Sequence, residues 1–176
     1  NEEDILNMIS EHFKDLGETT TLQKAPYNNY KPSESSSKLV QWINQSHLVM
    51  FADGIPMQSE KQATAAKLLA NILGGTTSSK LWMEIREKLG LCYYVGARHS
   101  SNLDFGQFSV SAGLDKKQLQ IWIDAIELIL KQASEGELTR EDFELAKNNY
   151  LGSLQMGLET SDAIADRVGY RYMMKK

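Results

Sequence analysis

Apolar residues recur at helical spacing from the start of the chain. Ile5, Ile9, Phe13 and Leu16 fall on one face of a predicted helix over 1–16, and Gly17 supplies its stop. Residues 18–37 are polar, carry Pro26 and Pro32, and contain the run Pro-Ser-Glu-Ser-Ser-Ser, so they read as a linker or surface loop. Two β-like stretches follow, Leu39–Ile43 and His47–Ala52, the second ended by Asp53-Gly54-Ile55-Pro56. Ala63, Ala66, Leu69, Ala70 and Leu73 then share one face of a helix over 58–73, closed by Gly74-Gly75. Thr76 to Ser79 offer N-caps for a third helix, Lys80 to Leu89, stopped by Gly90.

Residues 92–100 and 106–114 form a predicted strand pair. In the second strand Phe108, Val110 and Ala112 alternate with Ser109 and Ser111, the pattern of a half-buried strand. Asp115 caps a fourth helix carrying Leu119, Trp122, Ile123, Ile126, Ile129, Leu130 and Ala133. Thr139 and Asp142 form a capping box for a fifth, which runs to about Leu158. A last helix starts near Ser161. The order α-ββ-αα-ββ-ααα predicts an α+β fold: a two-layer sandwich with a largely antiparallel sheet and helices packed on one face. The first helix has no strand before it, and the last reaches Met173-Met174-Lys175-Lys176 without a stop signal. Both ends read as cut from a longer protein. The expected organisation is 1–17 as the terminal helix of a preceding half-domain, 18–37 as linker, and 38–176 as a domain truncated at its C-terminal end.

Composition narrows the function classes. The 176 residues carry 19 Lys+Arg against 23 Asp+Glu, dispersed without a basic stripe, which argues against nucleic acid as a partner. The apolar runs are only a few residues long, so no membrane-spanning helix is expected. A single cysteine, Cys92, excludes an internal disulfide and leans towards a reducing, cytoplasmic compartment without fixing it.

Several residue groups are candidates for chemistry. Gly74 to Lys80 has the composition of an anion cradle at a helix start. It follows a helix and has no Gly-Lys-Ser/Thr end, so a plain helix–helix connection is favoured. His12, His47 and His99 show no His-Glu-x-x-His or His-x-x-Glu-His spacing, and no metal site is expected. Cys92 has no visible base and reads as a small buried apolar residue. Arg86 and Tyr93, seven apart across a helix-to-strand turn, can meet at one rim. A cation and a phenol there would suit a developing oxyanion, although spacing alone favours a solvated Arg and a packed Tyr.

The stretch Asn71 to Tyr93, Asn-Ile-Leu-Gly-Gly-Thr-Thr-Ser-Ser-Lys-Leu-Trp-Met-Glu-Ile-Arg-Glu-Lys-Leu-Gly-Leu-Cys-Tyr, resembles the insulinase/pitrilysin family of zinc metallopeptidases, which includes the mitochondrial processing peptidase. The family pattern there is a Leu-Gly-Gly-Gly-x-Ser-Ser-Arg-Leu-like loop and helix, then Arg-Glu-x-x-Gly-Leu-x-Tyr. The likeness continues through Phe105-Gly106, Ala146-Lys147 and Gly152-Ser153-Leu154, and Gln45 to Val49 resembles the strand before the second helix. Leu89 and Cys92 depart from the common Arg and Ala. The Gly74-Gly75 pair is shorter than the long glycine loops that recognise presequences.

The resemblance implies two similar halves facing each other across a chamber, with zinc held by a His-x-x-Glu-His motif in the other half. This chain has no such motif and resembles the later, non-zinc domain. The zinc-bearing half, in the same chain or a partner subunit, and a peptide substrate are therefore the implied partners. Carried over residue by residue, Arg86 and Tyr93 would hydrogen-bond the substrate carbonyl beside the scissile bond, with Gly74 and Gly75 as substrate-binding positions. The leading expectation is the substrate-contacting domain of a zinc peptidase, inactive alone. The alternative is a non-catalytic subunit of the same fold that binds a peptide or partner. An anion-binding enzyme built on the Gly74–Lys80 loop ranks third.

Overall fold

The computed structural model describes residues 2–15 and 45–174. The chain divides into two compact units, residues 1–34 and 35–176. In the first, helix α1 (Glu2–Phe13) opens with Glu2, Glu3 and Asp4, negative charges that favour a helix N-terminus. The apolar side chains of α1, from Ile5 to Phe13, are exposed. Leu16, Gly17, the expected linker 18–37 and the expected strand Leu39–Ile43 lie outside the described residues.

The second unit runs β1 (Ser46–Gly54), α2 (Glu60–Gly74), a π-helical turn (Trp82–Lys88), β2 (Cys92–Ser101) and β3 (Gly106–Leu114). A 3₁₀ turn (Lys116–Gln118), α3 (Leu119–Ser134), α4 (Arg140–Met156) and α5 (Ser161–Met174) complete it. β3 lies between β1 and β2 and pairs antiparallel with both. Register places Leu48 and Val95 opposite Ala112, and Met50 and Ala97 opposite Val110. These residues share one face because side chains alternate along a strand. That face packs with Leu73, Leu81, Ile85, Leu114, Trp122, Ile126 and Ile129 into one core. The opposite face, with Val49, Phe51 and Tyr94, is exposed. The α+β sandwich expected from the element order is therefore present: an antiparallel sheet with helices over one face.

Local signals act as their chemistry predicts. Asp115 Oδ1 accepts the Lys117 N–H at 2.9 Å, but it opens the 3₁₀ turn, and α3 begins after it. The Thr139 hydroxyl accepts the Asp142 N–H at 3.1 Å, and Asp142 Oδ2 accepts the Thr139 N–H at 2.8 Å, completing the capping box. Gly74 ends α2 where a Cβ would lie 2.1 Å from the Ala97 nitrogen, so this glycine lets α2 close onto β2.

The third helix differs from expectation in kind. Trp82–Lys88 is π-helical, and the Leu89 N–H reaches back five residues to the Glu84 carbonyl at 3.1 Å. Gly90, at φ 62°, then turns the chain into β2. Short π segments of this type recur at functional sites.

Candidate functional site

The π turn and the start of β2 bring together the two residues singled out from sequence. The Arg86 guanidinium donates from Nη1 to the Tyr93 carbonyl oxygen. Its Cζ lies 4.2 Å from the centroid of the Trp82 ring, a cation–π stack. Glu87 Oε1 completes the frame: it accepts the Trp82 indole N–H at 3.0 Å and stands 3.8 Å from Arg86 Nε. Arg86 is thus held on three sides yet stays partly solvent-facing, and its carboxylate neighbour is itself exposed rather than buried. Glu84 is occupied separately, pairing with Lys88 at 2.6 Å.

Tyr93 departs from the packed tyrosine that spacing alone favours. The residue is 67% exposed. The cause is a register shift. Cys92 pairs with Leu114 and Tyr94 with Gly113, so Tyr93 is the extra residue of a β-bulge. Bulges redirect a side chain out of the strand's alternation. Arg86 therefore meets Tyr93 through the main chain, and the Tyr93 side chain is largely solvent-exposed.

Two contacts were not read from the sequence. Glu87, next to Arg86 in sequence, bridges Arg86 and Trp82. The wider π turn makes positions five apart neighbours, as Trp82 and Glu87 are. The four-residue spacing of Trp82 and Arg86 was the available signal for the stack.

Of the glycine pair, Gly74 is half-buried against β2, while Gly75 is exposed and donates its N–H to the Asn71 carbonyl at 2.9 Å. The connection that follows uses its donors internally: Ser79 Oγ donates to the Thr76 carbonyl at 2.6 Å, and Lys80 Nζ pairs with Asp142 at 2.8 Å. Burial of Asp142 works against its ionised form, but the bonds from Lys80 and Thr139 together outweigh it and hold the carboxyl below its ordinary range. With Lys80 engaged, this loop lacks the free cation an anion cradle would use.

The histidines have structural partners. His47 Nδ1 lies 3.1 Å from the Tyr94 hydroxyl across the open sheet face. Gly113 makes room for that tyrosine, since a Cβ there would meet its ring at 2.6 Å. His99, 6% exposed, accepts the Ile55 N–H on Nε2 at 2.9 Å. Burial, aided by the positive charge of Lys67, lowers its pKa and keeps it neutral. Cys92 is half-buried, and burial raises its thiol pKa despite the nearby Arg86. Among the described residues no cluster of three or more His, Cys, Asp or Glu side chains could hold a metal ion, and none of their helices is long and apolar enough to cross a membrane.

Comparison with known proteins agrees with this architecture. The family model described as the peptidase M16 inactive domain matches residues 1–150. An uncharacterized zinc protease of Bacillus subtilis, YmxG, is 29% identical over 87% of this chain and 36% of its own length. An uncharacterized zinc protease of Rickettsia bellii is 28% identical over 87% of this chain and 38% of its own. The chain thus spans well under half the length of these relatives. Among solved structures, a peptidase M16 inactive domain from Pseudomonas fluorescens superposes with a TM-score of 0.60 at 25% identity, covering 72% of this chain and 29% of that one. A protease from Helicobacter pylori shares the fold, with a TM-score of 0.71 at 19% identity over 99% of this chain and 43% of that one.

Proposed function

The chain belongs to the family of peptidase M16 inactive domains, and from that premise we propose that it is the substrate-contacting, non-zinc domain of a zinc peptidase. This is the family of the insulinase/pitrilysin resemblance. Among the described residues, His99 Nε2 is occupied by the Ile55 N–H, His47 Nδ1 faces a tyrosine hydroxyl, and no cluster of three or more His, Cys, Asp or Glu side chains could hold a metal ion. In this reading a separate zinc-bearing half, in the same parent chain or a partner subunit, supplies the metal, and a peptide or unfolded segment is the substrate.

The observation that carries the reading is the framed Arg86 beside the outstanding Tyr93. Both present hydrogen-bond donors. Trp82, Glu87 and the Tyr93 carbonyl fix the guanidinium before any substrate arrives. Preorganised donors stabilise charge that develops on a carbonyl oxygen because they need no reorganisation at the moment of reaction. We assign that task to Arg86 and Tyr93. Gly74 and Gly75 keep the neighbouring connection slim, and the exposed backbone at Gly75 gives an extended substrate room to pass.

The test is steady-state peptide hydrolysis by the parent protein, or by this chain combined with its zinc-bearing half. Tyr93→Phe is expected to lower kcat by about 10²–10³-fold, with KM changed much less and the melting temperature unmoved. An active assembly whose kcat survives both Tyr93→Phe and Arg86→Ala would refute the assignment. An assembly that binds zinc and peptide yet never cleaves would instead support the non-catalytic, peptide-binding subunit.

A further inference from the structure

A concave site that neither Arg86 nor Tyr93 lines lies between α2, α4 and α5. It is a cleft of about 600 Å³, within the range of roughly 300–1,000 Å³ that small-molecule sites occupy. Lys67 of α2 and Arg167 and Arg171 of α5 line it, and Glu60 is the one carboxylate among its lining residues. Glu60 is already engaged, paired with Arg171. Neither Lys67 nor Arg167 has an ion-pair partner among the described residues, and both are half-buried. Burial lowers the Lys67 pKa, and the like charges of Arg167 and Arg171 add to the effect. Positive charge is therefore gathered in a concave, partly desolvated place, where walls of low dielectric focus its field.

The remaining lining gives the site a shape preference. Tyr150 and Tyr170 supply aromatic faces with a hydroxyl at the edge, and Ala63 and Leu154 supply apolar wall. Guanidinium groups bind carboxylate and phosphate oxygens through paired N–H donors, and an ammonium adds a point charge. With Glu60 paired, the polar groups left in the cleft can serve an acceptor-rich ligand. We propose that this cleft binds a small organic anion, a phosphate or carboxylate group carried on an apolar or aromatic body, with Lys67 and Arg167 as the principal charge partners.

Phenyl phosphate, inorganic phosphate and phenol serve as probes, and binding to the chain is followed by calorimetry and by chemical-shift changes in labelled protein. Phenyl phosphate is expected to bind more tightly than inorganic phosphate, and phenol not to bind. Lys67→Met and Arg167→Met, which break no ion pair among the described residues, are each expected to weaken phenyl phosphate binding about tenfold or more, the loss typical of one charge-assisted hydrogen bond. Lys131→Met, outside the cleft, is expected to leave it unchanged. Each variant's circular dichroism spectrum and melting temperature accompany the titration, so a fall in affinity is credited only to folded protein. No saturable phenyl phosphate binding, equal loss in the Lys131 variant, or shifts away from α2 and α5 would overturn the proposal. Inorganic phosphate binding as tightly as phenyl phosphate would overturn the organic body, leaving a simple phosphate site.

Discussion

Replacing Gly74 by alanine sets two known effects against each other. Gly74 is the last residue of α2. In a helix, alanine is favoured over glycine by about 0.8–1 kcal/mol, so an open site would gain stability. At Gly74 the added Cβ would lie 2.1 Å from the Ala97 nitrogen and 2.7 Å from the Gly96 carbonyl carbon. Both are backbone atoms of β2, which is paired along its length with β3, so neither can turn aside as a side-chain tip would. α2 and β2 must separate, and overpacking of this kind costs about 1–3 kcal/mol or more. A Cβ 2.1 Å from backbone sits at the upper end of that range, so the clash wins and Gly74→Ala should destabilise by a net of about 1–2 kcal/mol. For a chain of this length that is a fall in melting temperature of roughly 2–8 °C. Gly152 in α4 supplies the control, because a Cβ there meets nothing within 4 Å. Gly152→Ala should leave stability unchanged or raise it by up to about 1 kcal/mol. Urea unfolding followed by far-ultraviolet circular dichroism measures both. A Gly74→Ala protein as stable as the wild type would refute the close packing of α2 on β2 and return Gly74 to the role of an unencumbered substrate-side glycine.

Two other perturbations test separate parts of the structure. His99 has a folded-state pKa below its ordinary value of 6.5, so below that pH the unfolded chain takes up the proton more readily than the folded one. Its stabilising contribution is complete above about pH 6.5 and is lost as pH falls through the lower folded value. Urea midpoints measured across that window should decline in the wild type, and a slope undiminished in His99→Gln would defeat the assignment. Trp82→Leu removes the ring beneath Arg86 and should lower kcat of the assembled peptidase about 2–5-fold, the worth of an exposed cation–π contact, while Trp82→Phe restores most of it. Equal losses in both variants would show that the ring face does not position Arg86.

The features legible in the sequence are those that local chemistry determines. The alternation of Phe108, Val110 and Ala112 with serines set the covered face of β3. The apolar spacing from Leu119 to Ala133 set α3, and Thr139 with Asp142 marked the start of α4 through a side-chain cap. The illegible features depend on departures from regular periods. A π turn and a β-bulge each insert about one residue's worth of rotation or register, and neither leaves a mark in a hydrophobic pattern. The Glu87 bridge between Arg86 and Trp82 therefore has no signal in the pattern, and Tyr93 is exposed where spacing alone favours a packed tyrosine. The hydrogen bond that holds His99 is illegible for another reason. Its partner is a backbone N–H at Ile55, and no side-chain pattern encodes a backbone donor 44 residues away. The Lys67, Arg167 and Arg171 cleft depends likewise on helices separated by about a hundred positions.

The two irregularities meet at the same place, and each makes sense of the other. Ile85 is fully buried in the core, so the face of the turn that carries it is fixed inward. Cys92 packs against that core from the covered face of the sheet, and Val95 is buried in it, so β2 is fixed as well. With both elements anchored, a regular helix joined to a regular strand would have to place Arg86 and Tyr93 wherever their periods happened to fall. The extra hydrogen-bond reach at Glu84–Leu89 rotates the turn's last residues, and the extra residue at Tyr93 rotates the strand's first. Both adjustments lie between the core anchors and solvent, so neither disturbs the packing of Leu81, Ile85 or Val95. The deviation is confined to the segment whose two polar side chains point outward. A purely structural connection gains nothing from an exposed tyrosine on a bulge beside a framed arginine, because neither adds buried area. The stability of the fold and the presentation of Arg86 and Tyr93 are therefore separable, so on the proposed reading substitution of Tyr93 should lower turnover while leaving folding intact.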